Sequence, residues 1–592
     1  MKKSTNLNYI WSKFFVDQLV LYGIKHVCIS PGSRSTSLTT AFAENKKIKK
    51  SVIVDERSSA FFALGLAKQT SKPVAVITTS GTATANLYPA IIEAYQQRIP
   101  LIICTADRPE YLRETGANQT INQKDLFINH IRYFKDLAIP RLSIKSFSSL
   151  QKTVEKAYIT TIAQNRGPVH LNFQFEKPLE KSITNIEVDY NFLTKLRELL
   201  SPSLPFPPSP VLPLSLSEKK AKNLKTVLTK ISSAEKGLII VGWDIYQNNF
   251  SNKVIKLSQK TGYPILADGA SGLFFQSKNK NIIVNHQAFL RSQKFVDKYS
   301  PDLIIQFGNA STSNAMLDFL KNSSAYKVTV NEFGDRKDSG LPHDKIVKTY
   351  PNEFIDAVIK NLEKKSDKTY LKVYQQADAV TEDFKTTFFK SIKPADEIAI
   401  VNKAVDALPE KSNLFISNSL PIRDLEFFKS KIDKKIKLFV NRGASGIDGI
   451  NSTTAGVAAV SKKPTVLITG DLSFFHDTNG LHTIFKYKIP LTIILINNGG
   501  GAIFGMLPIV KEKKNFEEYF LTSLNLDFSK LIKTYNGNYF SIKSFKTLKA
   551  KLNESISNKS FSLLEIKTDY KSGIELRKKY FRDAVKLIEK EI

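Results

Sequence analysis

Val466-Leu-Ile-Thr-Gly-Asp-Leu-Ser-Phe474, followed after a helix-length interval by Leu491-Thr-Ile-Ile-Leu-Ile-Asn-Asn-Gly-Gly-Gly501, decides the fold of this 592-residue chain. Each half is a run of β-branched and aliphatic residues ending in small polar ones. That is the pattern of a parallel strand buried on both faces that delivers its last residues to a site. The interval between the halves suits one helical crossover between neighbouring strands. Asp471 and Asn498 then stand at the carboxyl ends of the two strands. Mg²⁺ takes one or two carboxylates and completes its shell with phosphate oxygens and water, so this pair, with a backbone carbonyl from the glycine run, suits a metal that also holds phosphate. Gly499, Gly500 and Gly501 would let the main chain approach that phosphate without a Cβ in the way. Capping of two ordinary βα loops would use the same residue types. A dinucleotide fingerprint fits poorly, because Phe504 stands where the third glycine of G-x-G-x-x-G would fall.

The same alternation extends outward. Leu7 to Leu21 carries apolar residues at helical spacing, Gly23 can end that helix, and His26–Ser30 reads as a first strand. Strand-like runs recur at Val52–Val54, Val74–Thr78, Leu101–Thr105 and Val169–Phe173, interleaved with helix formers over Ser58–Lys68 and Ala83–Gln97. This predicts a parallel sheet with helices on both faces, closing near residue 180. Six prolines fall within Pro202–Pro213, which neither a helix nor a central strand tolerates, so this stretch reads as a linker. A second α/β unit has strands at 238–241, 264–267, 303–307 and 328–331, and a charged helix follows around Tyr370–Lys390. A third has strands at 414–417, 437–440, 466–469 and 491–496. The expected fold class is therefore α/β, with three doubly wound parallel-sheet domains: 1–185, a Pro-rich linker 186–215, 216–390 with a connecting helix, and 391–592.

Composition narrows the classes. Hydrophobic content of 42% and charged content of 24% suit a globular protein, and the length calls for more than one core. No apolar run approaches a membrane span. The first amphipathic segment is interrupted by Lys13 and Asp17, unlike a signal peptide, so a cytoplasmic location is expected. Cys28 and Cys104 sit in apolar runs and read as small buried hydrophobes rather than a disulfide. The net charge of +31 comes from scattered lysines without a nucleic-acid motif, and it reads as a solvated surface rather than a nucleic-acid site.

Further stretches carry a resemblance: Ser30-Pro-Gly-Ser-Arg-Ser-Thr36, Asp55-Glu-Arg-Ser58, Thr79-Ser-Gly-Thr-Ala-Thr-Ala-Asn86, Ala106-Asp-Arg-Pro109, Thr115-Gly-Ala-Asn-Gln119 and Asn441-Arg-Gly-Ala-Ser-Gly-Ile-Asp-Gly449. With Gly470-Asp471 and Asn497–Gly501, the sequence resembles the thiamine-diphosphate-dependent enzymes and, among them, the MenD family of menaquinone biosynthesis. Leu472 stands where many of the superfamily have glycine. The motifs keep the family's order at both ends of the chain, while the middle matches only in length and pattern.

The resemblance implies pyrimidine-binding, central and diphosphate-binding domains. It implies thiamine diphosphate with Mg²⁺ (or Mn²⁺), the metal on Asp471, Asn498 and Gly500. Cofactor contacts would come from Gly470, Asp471, Leu472, Ser473, Asn498 and Ile503, and Ile447 would bend the cofactor. Glu56 is implied to hydrogen-bond the aminopyrimidine ring, with burial in an apolar pocket raising its pKa. At the start of a helix it would equally suit a plain first-turn charge.

The implied substrates are 2-oxoglutarate and isochorismate, the first decarboxylated and its succinic semialdehyde carbanion added to the second. Arg34, Arg108, Arg423 and Arg442 fall in loops that follow strands, and arginine suits two-pronged recognition of the substrates' carboxylates. Arg34, Arg423 and Arg442 join Glu56 as implied catalytic residues. Taken singly, each arginine would pass for a surface ion pair. Ser33, Gln119 and Ser419 are implied polar partners of substrate, and Ile503, Phe504 and Leu507 an apolar wall that would otherwise read as core. The implied assembly is a homodimer or homotetramer with sites at the subunit interface. Another thiamine-diphosphate-dependent 2-oxo-acid decarboxylase or carboligase, acetolactate-synthase-like, is the alternative. The arginine-rich loops argue against it, since pyruvate brings one carboxylate. The family's central-domain lysine is missing: the strand ending at Gly308 leads to Ser313-Asn314-Ala315.

Overall fold

Three six-stranded sheets, every strand pair in them parallel, carry the chain in the computed structural model, which describes residues 2–200, 218–309, 311–336, 343–365, 367–393 and 396–592. The proline-rich stretch 202–213 lies outside the described residues. The chain divides into two compact units. One comprises Met1–Leu212, Asn441–Lys462 and Phe474–Pro490; the other comprises Pro213–Val440, Lys463–Ser473 and Leu491–Ile592.

In the first unit, β1 (Lys2–Thr5) pairs antiparallel with β8 (Ile186–Asp189). Between them run β2 (His26–Ile29), β3 (Lys49–Val52), β4 (Val74–Thr78), β5 (Leu101–Asp107), β6 (Tyr133–Leu137) and β7 (Val169–Gln174), ordered β3-β2-β4-β5-β7-β6. Trp11, Phe14, Phe15, Phe42, Phe147 and Phe173 fill one side of this sheet. The helix Leu7–Leu21 forms as expected, capped by Asn6 Oδ1 accepting the Tyr9 N–H at 3.0 Å. Cys28 and Cys104 are buried thiols in the sheet.

Several expected boundaries move. β3 ends at Val52 rather than Val54, as a half-exposed edge strand whose apolar run is not a guide to pairing. The helix expected over Ala83–Gln97 is two, Thr82–Ala85 and Tyr88–Gln97, because Pro89 cannot donate into a continuous helix but suits the first turn of a new one. β8 and the helix Tyr190–Leu199 occupy residues expected as linker, the helix capped by Asp189 Oδ1 on the Phe192 N–H at 2.6 Å. β1, β6 and β8 are rich in charged and polar residues, so they lack the apolar signal by which the other strands were read.

The helices Glu56–Thr70 and Ile450–Ala459 meet at glycines. A Cβ on Gly65 would lie 2.0 Å from the Thr453 carbonyl oxygen, and one on Gly456 would lie 2.1 Å from that of Phe62. Only the missing side chains allow the two backbones this close.

The second unit holds two sheets. The central one contains β9 (Gly237–Val241), β10 (Ile265–Ala267), β11 (Ile282–Ile283), β12 (Leu303–Phe307), β13 (Tyr326–Asn331) and β14 (Lys345–Lys348), ordered β11-β10-β9-β12-β13-β14. The last contains β15 (Asn413–Ile416), β16 (Lys437–Phe439), β17 (Thr465–Gly470), β18 (Thr492–Asn497), β19 (Asn538–Ser541) and β20 (Ser562–Lys567), ordered β16-β15-β17-β18-β20-β19. Ile239, Ile265, Ile305, Ile416, Ile468 and Ile494 belong to one continuous core. Among the described residues no helix is long and apolar enough to cross a membrane.

Candidate functional site

β17 and β18 are neighbours, so their carboxyl ends bring Asp471 and Asn498 side by side. Asp471 is buried, its Oδ1 accepting the Leu472 N–H at 2.8 Å and its Oδ2 the Gly499 N–H at 3.0 Å. Burial pushes its carboxyl up to about 6, against the pull of the backbone donors at Leu472, Gly500 and Gly499. A carboxylate desolvated to this degree is relieved by a nearby positive charge. Asn498 is 8% exposed, and its Nδ2 donates to Glu397 Oε1 at 3.0 Å while its Oδ1 has no partner among the described residues.

Gly499 and Gly500 adopt φ of 82° and 130°, and a Cβ on Gly500 would lie 2.0 Å from the Leu521 carbonyl oxygen. Backbone conformation and the nearness of that carbonyl both demand glycine here. In front of Gly470 the space is open, a Cβ there meeting only the Ile496 carbonyl oxygen at 4.0 Å. Ser473 Oγ is buried without a partner, and Leu472 and Ile503 are half-buried beside this loop sequence. Phe504 and Leu507 are more open, Leu507 being 50% exposed.

One carboxylate, one unpartnered amide oxygen, an unpartnered hydroxyl and an open strand end form the donor set of a hard divalent cation holding a diphosphate, so the residues present fit the implied group. Among the described residues no three or more His, Cys, Asp or Glu side chains gather as metal ligands; this donor set contains a single carboxylate.

Ser419, at φ 73°, leads into the helix Leu420–Phe428. Arg423 Nη1 donates to the Ser419 carbonyl at 2.8 Å, which folds the guanidinium back over its own first turn.

In the first unit, two guanidinium groups converge. Arg108 is buried, and its Nη1 donates to Ser80 Oγ at 2.5 Å and to the Gln119 carbonyl at 2.9 Å. Arg34 donates its backbone N–H to Thr79 Oγ1 at 3.2 Å and its Nη1 to the Phe175 carbonyl at 2.9 Å. Burial and the like charge of Arg108 hold the Arg34 pKa below its usual value. Two cations kept this close suit an anionic ligand. Asp107 accepts the Arg108 N–H at 2.7 Å and pairs with Arg113 at 2.9 Å, which braces the loop. Ser33 is exposed, and Gln119, at φ 55°, uses its carbonyl rather than its side chain toward Arg108.

Glu56 opens its helix as expected, behind the cap Asp55, whose Oδ1 accepts the Ser58 N–H at 2.8 Å. The apolar enclosure expected of Glu56 is absent within this unit. The side chain is half-exposed, accepts from Asn86 Nδ2 at 3.3 Å, and follows Val54, itself 64% exposed. Arg442 and Ile447 are half-buried in a loop whose Gly443 and Ala444 N–H groups donate to the Glu93 carboxylate at 2.8 and 2.7 Å.

The candidates thus fall into two groups. Ser33, Arg34, Glu56, Arg108, Gln119, Arg442 and Ile447 belong to the first unit, and Ser419, Arg423 and those following β17 and β18 to the second. At the departure in the central domain, Ser313 serves as a helix cap for Asn314–Asn322, its Oγ accepting the Ala315 N–H at 3.1 Å. The sequence reading passed over Glu397, Asp424 and Arg577, which are buried behind Asn498. A signal existed for the last. Arg577 falls on the buried face of the helix Tyr570–Glu591 with Ile574, Tyr580, Phe581 and Ala584, and a charge on an apolar stripe is informative.

Comparison with known proteins places three family models along the chain, the last of them spanning residues of both compact units. Residues 11–126 match the N-terminal TPP binding domain of thiamine pyrophosphate enzymes, 215–416 the middle domain and 434–566 the C-terminal TPP binding domain. The chain is 34% identical over 573 residues to the 2-succinyl-5-enolpyruvyl-6-hydroxy-3-cyclohexene-1-carboxylate synthase of Bacillus cytotoxicus, covering 96% of each chain. It is 36% identical to the synthase of the same name from Listeria welshimeri, covering 94% of each. Among solved structures, benzoylformate decarboxylase from Polynucleobacter necessarius superposes with a TM-score of 0.72 at 16% identity, over 95% of this chain and 98% of that one. The thiamine diphosphate-dependent 4-hydroxybenzoylformate decarboxylase of Rhodococcus jostii RHA1 superposes at 0.68 and 14%, over 94% and 99%. At these identities the two structures speak for the fold.

Proposed function

Because this chain belongs to the thiamine-diphosphate-dependent 2-succinyl-5-enolpyruvyl-6-hydroxy-3-cyclohexene-1-carboxylate synthases, we propose that its two clusters hold one cofactor and two carboxylate-bearing substrates. The protein is a thiamine-diphosphate-dependent transferase of menaquinone biosynthesis. We take its substrates to be 2-oxoglutarate and isochorismate. The product name supports this, since a succinyl group, an enolpyruvyl group and a ring carboxylate bring several carboxylates for the arginines to recognise.

Bound thiamine diphosphate supplies the carbanion chemistry by which a 2-oxo acid loses CO₂ and its acyl carbon joins a second substrate. Asp471, the Asn498 side-chain oxygen and the Gly500 carbonyl would hold Mg²⁺ or Mn²⁺, with Gly470, Leu472 and Ser473 beside the diphosphate. Glu56 would hold a proton at the edge of the cofactor's pyrimidine ring, and Ile447 and Ile503 would pack against it. Of the first unit's residues Arg34, Arg108 and Arg442, with Ser33 and Gln119, would bind carboxylates, and of the second's Arg423 with Ser419. Phe504 and Leu507 would form an apolar wall that limits water at the site once it is covered. The observation that carries the reading is the buried Asp471 beside an Asn498 oxygen that nothing in the described protein satisfies.

Glu56 and Asp471 belong to different compact units, and Val52 and Val54, on the strand end leading to Glu56, are apolar and exposed. A second copy of the chain covering that surface would supply the enclosure Glu56 lacks. We therefore propose at least a homodimer, with cofactor sites at the subunit interface and the domains 1–185, 216–390 and 391–592 binding pyrimidine, connecting, and binding diphosphate. Sedimentation of a monomer at working concentration would defeat this assembly.

The test of function is to follow isochorismate consumption with thiamine diphosphate, Mg²⁺ and 2-oxoglutarate. Expected is loss of isochorismate matched by release of CO₂; no consumption by folded protein overturns the substrate assignment. Faster CO₂ release from pyruvate than from 2-oxoglutarate would favour an acetolactate-synthase-like enzyme instead.

A further inference from the structure

Behind the Asn498 amide lies a cluster of charges with no access to water. Glu397, the first residue of the helix Glu397–Ala407, Asp424 of the helix Leu420–Phe428 and Arg577 of the last helix are each 2% exposed or less. Arg577 Nη2 donates to Glu397 Oε1 at 3.2 Å and to Asp424 Oδ2 at 2.5 Å, and its Nε donates to Asp424 Oδ1 at 3.1 Å. The same Glu397 Oε1 accepts from Asn498 Nδ2 at 3.0 Å. A Cβ on Gly573 would lie 2.8 Å from Glu397 Oε2 and 3.0 Å from Arg577 Nη1, so the glycine leaves room for this pair.

An ionised carboxylate only accepts hydrogen bonds. The end of the Asn498 amide that faces Glu397 must therefore be its NH₂, and its oxygen is turned the other way, where it is buried without a partner. Arg577 holds Glu397 in place by a charge-assisted bond, and Asp424 completes the guanidinium's two-pronged pairing. Asp424 also precedes Leu425 and follows Arg423, so the same guanidinium anchors the helix that carries a substrate candidate.

We propose that Glu397, fixed by Arg577, is a positioning residue that orients the Asn498 amide with its oxygen toward the cofactor's divalent cation. This rests on the reading of Asp471, Asn498 and Gly500 as the cation site. Partners of this kind behind a ligand change metal affinity by about 10- to 100-fold when removed.

The test uses full-length protein with saturating thiamine diphosphate and titrates Mn²⁺, reading the free ion by electron paramagnetic resonance, with thermal melts of the metal-free protein alongside. Glu397→Ala is expected to weaken Mn²⁺ binding at least about 10-fold. Glu397→Gln keeps an acceptor for the Asn498 NH₂ and should stay within about threefold of the parent, since the hydrogen bond rather than the charge sets the amide. Parent-like Mn²⁺ affinity in a folded Glu397→Ala protein overturns the proposal. So does an equal loss in Glu397→Gln, which would make charge balance the cause. Should Glu397→Ala not fold, Gly573→Ala displaces the Glu397 carboxylate without removing a charge and carries the same expectation and the same overturning result. Asp471→Ala separates the two readings: if it still binds Mn²⁺ normally, the cation site itself is wrong. If it loses Mn²⁺ while Glu397→Ala does not, only the positioning role fails.

Discussion

The first and third sheets share one topology and differ in what stands at their strand ends. In each, the strands lie in the order second, first, third, fourth, sixth, fifth, as β3-β2-β4-β5-β7-β6 and β16-β15-β17-β18-β20-β19. Arg34, Glu56, Thr79 and Arg108 follow the first four strands of one; Arg423, Arg442, Asp471 and Asn498 follow those of the other. The pair following β17 and β18 is buried and braced, with one unsatisfied oxygen left over. Glu56, following β3, is half-exposed with one long amide contact. One scaffold thus carries a buried, braced acid and amide in one copy and a half-exposed acid in the other. Polar groups that are buried and braced are pre-organised, whereas the environment of an exposed acid is left open.

Glu56→Gln tests the contrast most severely. An open acid serving only proton handling should be dispensable for cofactor binding, so the variant is expected to bind thiamine diphosphate normally and to lose turnover by about 10²- to 10⁴-fold. Calorimetric titration beside a turnover assay reads both, and near-normal turnover would break the assignment. Arg108→Ala addresses the cationic cluster on the same sheet. It removes charge-assisted bonds of roughly 1.5–3 kcal/mol each, so KM for a carboxylate substrate should rise by about one to two orders of magnitude, more than kcat falls. Arg108→Lys should not restore it, since one ammonium cannot form the two-pronged contact.

A smaller effect tests the glycine crossing that supports the Glu56 helix. Gly456→Ala puts a methyl group against the Phe62 carbonyl, which is backbone and cannot swing away. The expected cost is about 1–3 kcal/mol of stability in the first unit, read by denaturant melts.

A last comparison of the units uses pH. Burial lowers His170 in the first unit to about 3 and His286 in the second to about 4. The unfolded chain takes up these protons near 6.5, whereas the folded protein does not until those lower values. Stability from this source is therefore intact above pH 6.5 and falls as the pH drops toward 4, by up to about 1.4 kcal/mol per pH unit for each group. Thermal melts between pH 7 and 4 should show a shallower acid slope for His170→Gln and for His286→Gln than for the parent. An unchanged slope in both would mean that other groups carry the acid limb.

Much of this was legible in advance for a physical reason. Buried parallel strands such as Val74–Thr78 and Leu303–Phe307 are nearly continuous apolar runs, and their bounds were read correctly. Edge and polar strands such as β6, β14 and β19 pair through the backbone with few buried side chains, and backbone pairing leaves no mark on residue order. The shared strand order of the first and third sheets was equally invisible, since no internal repeat survives in the residues. Glu56 at a helix start was foreseen; its lack of an enclosing pocket was not, because exposure depends on what packs above a residue.

The sequence by itself determined the parallel α/β class, the strand ends on which Asp471 and Asn498 lie, the glycines after them and the family to which those motifs belong. These are local patterns of apolarity, spacing and backbone freedom. Only the tertiary structure decided which way the Asn498 amide faces, because that is set by a carboxylate and a guanidinium brought from Glu397 and Arg577, distant in the chain and meeting only when the helices pack.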